Sequence, residues 1–228
     1  MPDPREVRSM FGRIAGRYDL LNRVLSLGID RSWRARTVRR AGPVTGRTVI
    51  DACCGTGDLA LEFSRAGARV VGVDFTPEML RLARPKAVEE RSSAAFLHGD
   101  AMRLPVKSAA ADVCSVAFGV RNLADLDSGL AELARVLKPG AHLYVLEFSP
   151  PPRGPLGWFC RLYFGHVLPR LGAWISGDAE AYRYLPRTIG AWWEPRELQR
   201  RMELAGLTDC GFESLTFGIA SLHWGRRQ

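Results

Sequence analysis

The chain has 228 residues, 46% of them hydrophobic and 25% charged, a balance that excludes disordered, collagen-like and disulfide-stapled classes and points to one soluble domain. Its formal charge of +8 is uneven: residues 1–45 hold ten arginines against Asp3, Glu6, Asp19 and Asp30. The five cysteines are odd in number, include the adjacent pair Cys53 and Cys54, and show no CxxC spacing, so neither a disulfide framework nor a metal site is expected.

The basic arm comes first. Such an arm attracts phosphate polymers or an anionic leaflet, or is simply a solvated helix. No zinc-finger, RRM or basic-zipper pattern accompanies it, so nucleic acid is not an expected partner. Residues 1–20 are charged throughout, and no apolar run reaches the ~18 to 20 residues of a membrane span. Neither a signal peptide nor a span is expected, and the expected location is the cytoplasm.

From residue 46 the chain alternates apolar runs with amphipathic segments, the rhythm of a βαβ parallel sheet. A first strand, Thr48 to Cys53, passes through Cys54-Gly55-Thr56-Gly57-Asp58 into a helix. A second, Arg69 to Asp74, meets Thr76 and Pro77, an N-cap and first-turn pair, and Pro85 should end or kink the helix that follows. A third, Ala95 to His98, leads to Gly99-Asp100-Ala101. The fourth, Asp112 to Phe118, runs into Gly119-Val120-Arg121-Asn122. Leu126, Leu130, Leu133 and Leu137 then recur at helical spacing and stop at Lys138-Pro139-Gly140, and His142 to Phe148 reads as a fifth strand.

Ser149 to Gly177 mixes five prolines with Trp158, Phe159, Tyr163, Phe164 and Trp174, an aromatic insertion rather than another βα unit. Its long apolar face suits an isoprenoid groove, a headgroup contact or plain core packing. A last helix, about Arg196 to Ala205, closes at Gly206. Strands near Asp209 to Leu215 and Gly218 to Trp224 would finish the sheet as an antiparallel hairpin.

The glycines of Asp51-Ala52-Cys53-Cys54-Gly55-Thr56-Gly57 stand at a strand-to-helix turn, where backbone can approach a ligand. Gly55-x-Gly57-x-x-Ala60 also satisfies the loose dinucleotide fingerprint, which leaves an NAD-dependent dehydrogenase as a rival. Three acids sharpen the reading. Asp51 ends the first strand and can face an ammonium group. Asp74 ends the second and can accept from ribose hydroxyls. Asp100 ends the third and can accept from an adenine amino group. Asp51 and Asp58 would repel a pyrophosphate at that helix start, so a nucleoside bearing positive charge fits better.

This pattern resembles the class I S-adenosylmethionine (SAM) methyltransferases over about Thr48 to Phe148. The flanks narrow it: Met10-Phe11-Gly12 through Arg17-Tyr18-Asp19-Leu20-Leu21-Asn22, then Phe118-Gly119-Val120-Arg121-Asn122, Arg135-Val136-Leu137-Lys138-Pro139-Gly140, Leu146-Glu147-Phe148-Ser149, Tyr182-x-Tyr184-Leu185-Pro186 and Phe217-Gly218-Ile219-Ala220-x-Leu222-His223. Together, from Met10 to Gly225, they are similar to the ubiquinone/menaquinone biosynthesis C-methyltransferase family.

The resemblance implies a Rossmann-like α/β fold: a seven-stranded sheet, mostly parallel with a C-terminal antiparallel hairpin, and helices on both faces. It implies a single domain over 1–228, with residues 1–45 as a helical lid and residues 150–190 covering the substrate. It implies SAM as cofactor, bound by Asp51, Gly55, Thr56, Gly57, Asp74, Asp100 and Ala101. The family usually has serine where this chain has Ala117, which removes one contact.

The implied reaction is methylation of a ring carbon of a polyprenylated quinol, with demethylmenaquinol favoured and a ubiquinone-precursor benzoquinol as the alternative. A non-catalytic membrane or nucleic-acid module is the rival from another class. Other implied partners are the inner face of the membrane, touched peripherally, and a second copy of the chain.

Methyl transfer to carbon needs an electron-rich ring, hence loss of a proton from a phenol of pKa ~10. Arg121 is the first candidate to stabilise the resulting anion, directly or through a water, with Asn122 and Tyr18 orienting the ring. A salt bridge from Arg121 to Asp125 or Asp127 is the structural alternative. Tyr18 and Asn22 lie four apart and share a helix face. Among the histidines, His98 and His142 read as structural, His223 stands in a matched motif away from the ring, and His166 is a weak base candidate. Cys53 and Cys54 read as small packing residues of the loop.

Overall fold

The computed structural model describes residues 3–26, 28–151, 154, 157–158, 162–163, 184 and 187–228. Most of the expected insertion, including His166 and Trp174, lies outside the described residues, as do Cys160 and Leu27. Two helices, α1 (Pro4–Leu25) and α2 (Ile29–Ala41), precede the sheet. There follow β1 (Thr48–Ala52), α3 (Asp58–Arg65), β2 (Arg69–Asp74), α4 (Pro77–Glu89), β3 (Ala95–His98), β4 (Ala111–Ala117), α5 (Leu126–Val136) and β5 (Leu137–Phe148). The helix α6 (Pro195–Leu204) leads into β6 (Leu207–Leu215) and β7 (Ala220–Arg227).

The strands form one seven-stranded sheet in the order β3-β2-β1-β4-β5-β7-β6. The first five run parallel, and β7 enters antiparallel to both β5 and β6. This is the expected Rossmann-like sheet with its terminal hairpin. Leu130, Leu133, Leu198 and Met202 from α5 and α6 bury one face with Ile50 and Val145, while Trp33, Phe63 and Leu80 from α2, α3 and α4 bury the other. Both faces are therefore covered, which is why the central strands are apolar almost throughout.

Four local expectations are corrected. Pro85 does not end α4, which continues to Glu89. The proline stands on the exposed side while Ala83 and Ala87 are buried, so packing outweighs a loss of about 3 kcal/mol for proline inside a helix. Thr76 is at the N-cap of α4 by backbone position, but its side chain makes no cap hydrogen bond and turns to Asp74 instead.

At the other end of the sheet, α5 stops at Val136 and the chain enters β5 at once, with Leu137 paired to Ala111. Lys138-Pro139-Gly140 therefore lies within the strand as an exposed irregularity, where the register with β4 shifts. Asp100 stands two residues beyond β3, in a turn that its own carboxylate closes by accepting the Met102 amide at 2.9 Å.

Replacing Pro85 with Ala returns an amide donor to the exposed side of α4. Urea denaturation should show a gain of about 1–3 kcal/mol, and an unchanged midpoint would mean that the helix is not interrupted in energy at all.

Candidate active site

All parallel strands end on one edge of the sheet, and the loops that leave them surround a cleft of about 760 Å³ that opens to solvent. Ligands of open α/β sheets bind at this edge. The cleft is lined by Cys53 and Gly55 after β1, Asp74 to Thr76 after β2, Gly99 to Met102 after β3, and Ala117 to Gly119 with Asn122 to Ala124 after β4. Phe11 and Tyr18 of α1 close it from above.

The loop after β1 is shaped by close approach. At Gly57, with φ 86°, a Cβ would stand 2.8 Å from the Phe96 ring. A Cβ on Gly119 would meet that of Cys53 at 2.5 Å. Cys53 and Cys54 are thus packing residues, and burial raises both thiols well above their ordinary pKa.

Asp74 is the centre of the acidic wall. Its two oxygens accept the amides of Gly55 and Thr76, each at 2.8 Å. Burial raises its pKa, against the pull of those two amides and the Thr76 hydroxyl. A carboxylate oxygen holding one amide keeps a further lone pair, so Asp74 can still accept ribose hydroxyls.

Asp51 lies behind this wall, not on it. Its Oδ1 accepts the Ser115 hydroxyl at 2.7 Å, and Oδ2 has no hydrogen-bond partner within reach. Burial pushes its pKa up to about 7, although Ser115, Arg34 and the Ala60 amide pull the other way. The acids that do line the cleft, Asp74 and Asp100, suit a cationic nucleoside such as SAM. The expectation that Asp51 itself faces the ligand is not met, because the residue is 1% exposed inside β1.

An ionic relay holds the two N-terminal helices over the site. Asp19 of α1 accepts the Thr56 hydroxyl at 2.5 Å and pairs with Lys86 of α4. Lys86 also reaches Asp58 at 2.9 Å, and Arg34 of α2 lies 3.6 Å from Asp58 while pairing with Asp30. Burial alone would raise the Asp58 pKa, yet Arg34 and Lys86 hold it below the ordinary carboxylate value. Asp58 therefore spends its charge on this relay rather than on a ligand. Thr56 is buried and committed to Asp19, so the loop meets the cleft through Cys53 and Gly55.

The other end of the cleft centres on Tyr18 and Asn122. The Tyr18 ring lies 5.9 Å edge-on from Phe11, burial raises its pKa, and its hydroxyl bonds Asn22, the pairing that their spacing predicts. Asn122 accepts the Tyr184 hydroxyl on Oδ1 at 2.9 Å, while Nδ2 lies 3.5 Å from the Phe118 carbonyl. One N–H of Nδ2 is donated to that carbonyl, which leaves the second for the cleft. Sequence reasoning had Tyr184 only as part of a motif, since nothing in its spacing tells that it meets a residue 62 positions earlier.

Arg121 is turned inward. Its Nη1 donates to Glu147 at 2.5 Å and to the Phe118 carbonyl at 2.9 Å, and the residue is 7% exposed. Burial raises Glu147 and the arginine opposes it. The alternative partners are engaged elsewhere: Asp125 caps α5 through the Ser128 amide, and Asp127 pairs with Arg201. Glu147 stood in a quoted motif, but only the parallel pairing of β4 with β5 brings it beneath Arg121. None of the described histidines lines the cleft; His223 Nε2 donates to the Pro195 carbonyl, 2.9 Å away, and burial lowers its pKa to about 4.

Tyr18, Gly55, Asp74, Asp100, Ala101 and Asn122 thus line one cleft, whereas Asp51, Thr56, Gly57 and Arg121 form its supporting layer. A doubly covered parallel sheet with an acidic nucleoside wall at its carboxyl edge defines a SAM-dependent methyltransferase. The solved SAM-dependent methyltransferase from Aquifex aeolicus has the same fold, with a TM-score of 0.64, 19% identity and coverage of 86% of this chain and 89% of that one. The model of the ubiE/COQ5 methyltransferase family matches residues 2–227, and the chain belongs to that family. The demethylmenaquinone methyltransferase of Deinococcus radiodurans is 49% identical, across 97% of this chain and 92% of its own. That of Thermus thermophilus is also 49% identical, across 96% and 100%.

Two outcomes are expected. The folded chain holds a proton on Asp51 up to a pH of about 7, whereas the unfolded chain releases it near 3.8. Between those values the folded state binds the extra proton, so this residue's contribution to stability falls as pH rises and is constant above the window. Asp51→Asn should therefore gain on the order of 4 kcal/mol relative to wild type between pH 4 and pH 8. Denaturation curves at both pH values check it, and a difference independent of pH contradicts it.

Arg121→Ala strands a buried glutamate and should lower stability by about 3–5 kcal/mol. Replacing Arg121 and Glu147 together by Met should restore most of that loss. A single variant as stable as wild type would show that the pair holds nothing.

Proposed function

We propose that this enzyme transfers the methyl group of SAM to a ring carbon of demethylmenaquinol, giving menaquinol. The relatives that bear this activity in their names match along nearly their whole length. The observation that carries the reading is the meeting, in one cleft, of the acidic wall of Asp74 and Asp100 with a pair of polar groups, Tyr18 and Asn122, set among Phe11, Phe118 and Leu123. A flat aromatic diol needs that combination of apolar walls and few polar contacts.

When bound, SAM supplies an electrophilic methyl on a sulfonium, and the transfer is an in-line displacement by the ring carbon. The protein's part is alignment and charge. Holding both partners in line supplies several kcal/mol, about 7–11 for an ideal pair. The ring hydroxyl gives its proton to solvent water, and Asn122 Nδ2 and the Tyr18 hydroxyl donate to the oxyanion left behind. S-adenosylhomocysteine leaves as the new C–C bond forms, and the hydrogen of the methylated carbon departs as a proton that restores the hydroxyl. Arg121 stands behind Asn122, where Glu147 offsets its charge, so its share is to fix the Phe118 carbonyl and the turn that carries Asn122.

Asp74 and Gly55 take the ribose side, Asp100 and Ala101 the base, and Asp51, Thr56 and Gly57 shape the loop beneath. The helices of residues 1–45 serve as the lid, and residues 150–190 take the isoprenoid tail; Trp158 and Leu162 of that segment are exposed. A polyprenylated quinol resides in lipid, so the enzyme works in the cytoplasm as a peripheral protein at the inner face of the membrane. No helix among the described residues is long and apolar enough to cross it.

Incubation with methyl-labelled SAM and a panel of short-tailed naphthoquinols and benzoquinols tests the function. Label should enter the unsubstituted carbon of the naphthoquinol ring. Label confined to a benzoquinol, or to oxygen, would replace the proposal.

A further inference from the structure

The tip between β6 and β7 carries three successive left-handed residues, Thr216, Phe217 and Gly218, with φ of 46°, 57° and 89°. Such a conformation costs a non-glycine residue of order 1–3 kcal/mol and persists only where the surroundings impose it. Burial does not repay that cost here, because Phe217 is 82% exposed. An aromatic ring held outward under strain calls for something to cover it.

The register fixes where the tip lies. Ala220, the first residue of β7, pairs with Phe148, the last of β5, and the Ser149 amide donates to the Ile219 carbonyl at 3.0 Å. Phe217 therefore projects from the carboxyl edge of the parallel strands, the edge on which the cleft opens. Trp33 donates to the Thr216 hydroxyl at 2.8 Å, and its ring lies 6.1 Å from that of Phe118, which lines the cleft. One layer of aromatic rings separates the tip from the site.

The same edge is overlaid by α1, whose inner face sends Phe11 and Tyr18 into the cleft. Its opposite face carries Arg13, Arg17, Leu20 and Arg23, all exposed and within one arc of the helix, with Leu20 at 53% exposure. Arg31, two residues before Trp33, is exposed as well. Arginines around an outward leucine make an interfacial helix face, which anionic headgroups and acyl chains satisfy together.

We propose that this edge docks on an anionic lipid surface, with Phe217 and Leu20 entering the headgroup layer and the α1 and α2 arginines meeting lipid phosphates, so that the cleft mouth faces the bilayer. The proposal rests on the quinol reading above, because a tailed substrate gives the cleft a reason to face lipid.

Sedimentation of the full chain with vesicles tests it, using phosphatidylcholine with and without phosphatidylglycerol. Wild type should bind the anionic vesicles and lose binding with added salt. Phe217→Gly suits the left-handed backbone and should melt no lower than wild type, yet bind about tenfold more weakly. Arg23→Glu with Arg31→Glu should weaken binding at least as much and flatten the salt dependence. With a short-tailed quinol in detergent, Phe217→Gly should turn over at the wild-type rate; with a long-tailed quinol in vesicles it should be slower.

Vesicle binding that ignores both sets of variants would overturn the docking surface. So would a Phe217→Gly change that dissociates a dimer and leaves lipid binding intact, since the occupant would then be a second copy. If vesicles bind as described but no quinol is methylated in detergent, the quinol reading fails and the lipid surface stands.

Discussion

The site depends on one carboxylate. Asp74 ends β2, and by accepting the Gly55 amide it ties the loop after β1 to the loop after β2, where it also takes the Thr76 amide. Two flexible connections become one wall, and the wall keeps unused acceptor positions toward the cleft. A neutral residue would leave two amides without a charged acceptor in a buried place, where each unmet donor costs about 1–3 kcal/mol. The carboxylate that lines the cleft and the one that ties the loops are the same group, which explains why the chain tolerates a buried acid whose pKa is raised.

Charge is spent inside this protein mostly on holding segments together. Asp30, Arg34, Asp58, Lys86 and Asp19 alternate in sign from α2 across the start of α3 and the last turn of α4 to α1. Arg121 and Glu147 do the same beneath the substrate side. Near-neutral pairs of this kind shape a pocket without imposing a net charge on it, and so leave Asp74 and Asp100 to set its sign.

Much of the fold was legible because burial on both faces writes apolar strands, and α5 writes its leucines at helical intervals. Local punctuation was less reliable. Pro85 reads as a stop, but the burial of Ala87 beyond it is a tertiary fact. Lys138-Pro139-Gly140 reads as a loop, but a parallel partner draws Leu137 straight into the sheet.

The cleft was legible in Tyr18, Gly55, Asp74, Asp100, Ala101 and Asn122, which stand at a strand end, in the loops that follow the strands, or on α1. It was not legible in which acids face the ligand and which face the core. Asp51 sits one residue short of its strand's end, enough to turn it inward toward Ser115. Arg121 looks like a catalytic cation until Glu147, 26 residues away, is brought under it.

The persistence of α4 past Pro85 has an effect at a distance. Lys86 is the next residue, and it is the link that joins Asp19 on α1 to Asp58 at the start of α3. Had the proline unwound that turn, the ammonium would have no fixed place and α1 would lose its fastening. A position near the end of α4 thus fastens the helix that roofs the pocket, although that helix lies more than sixty residues upstream.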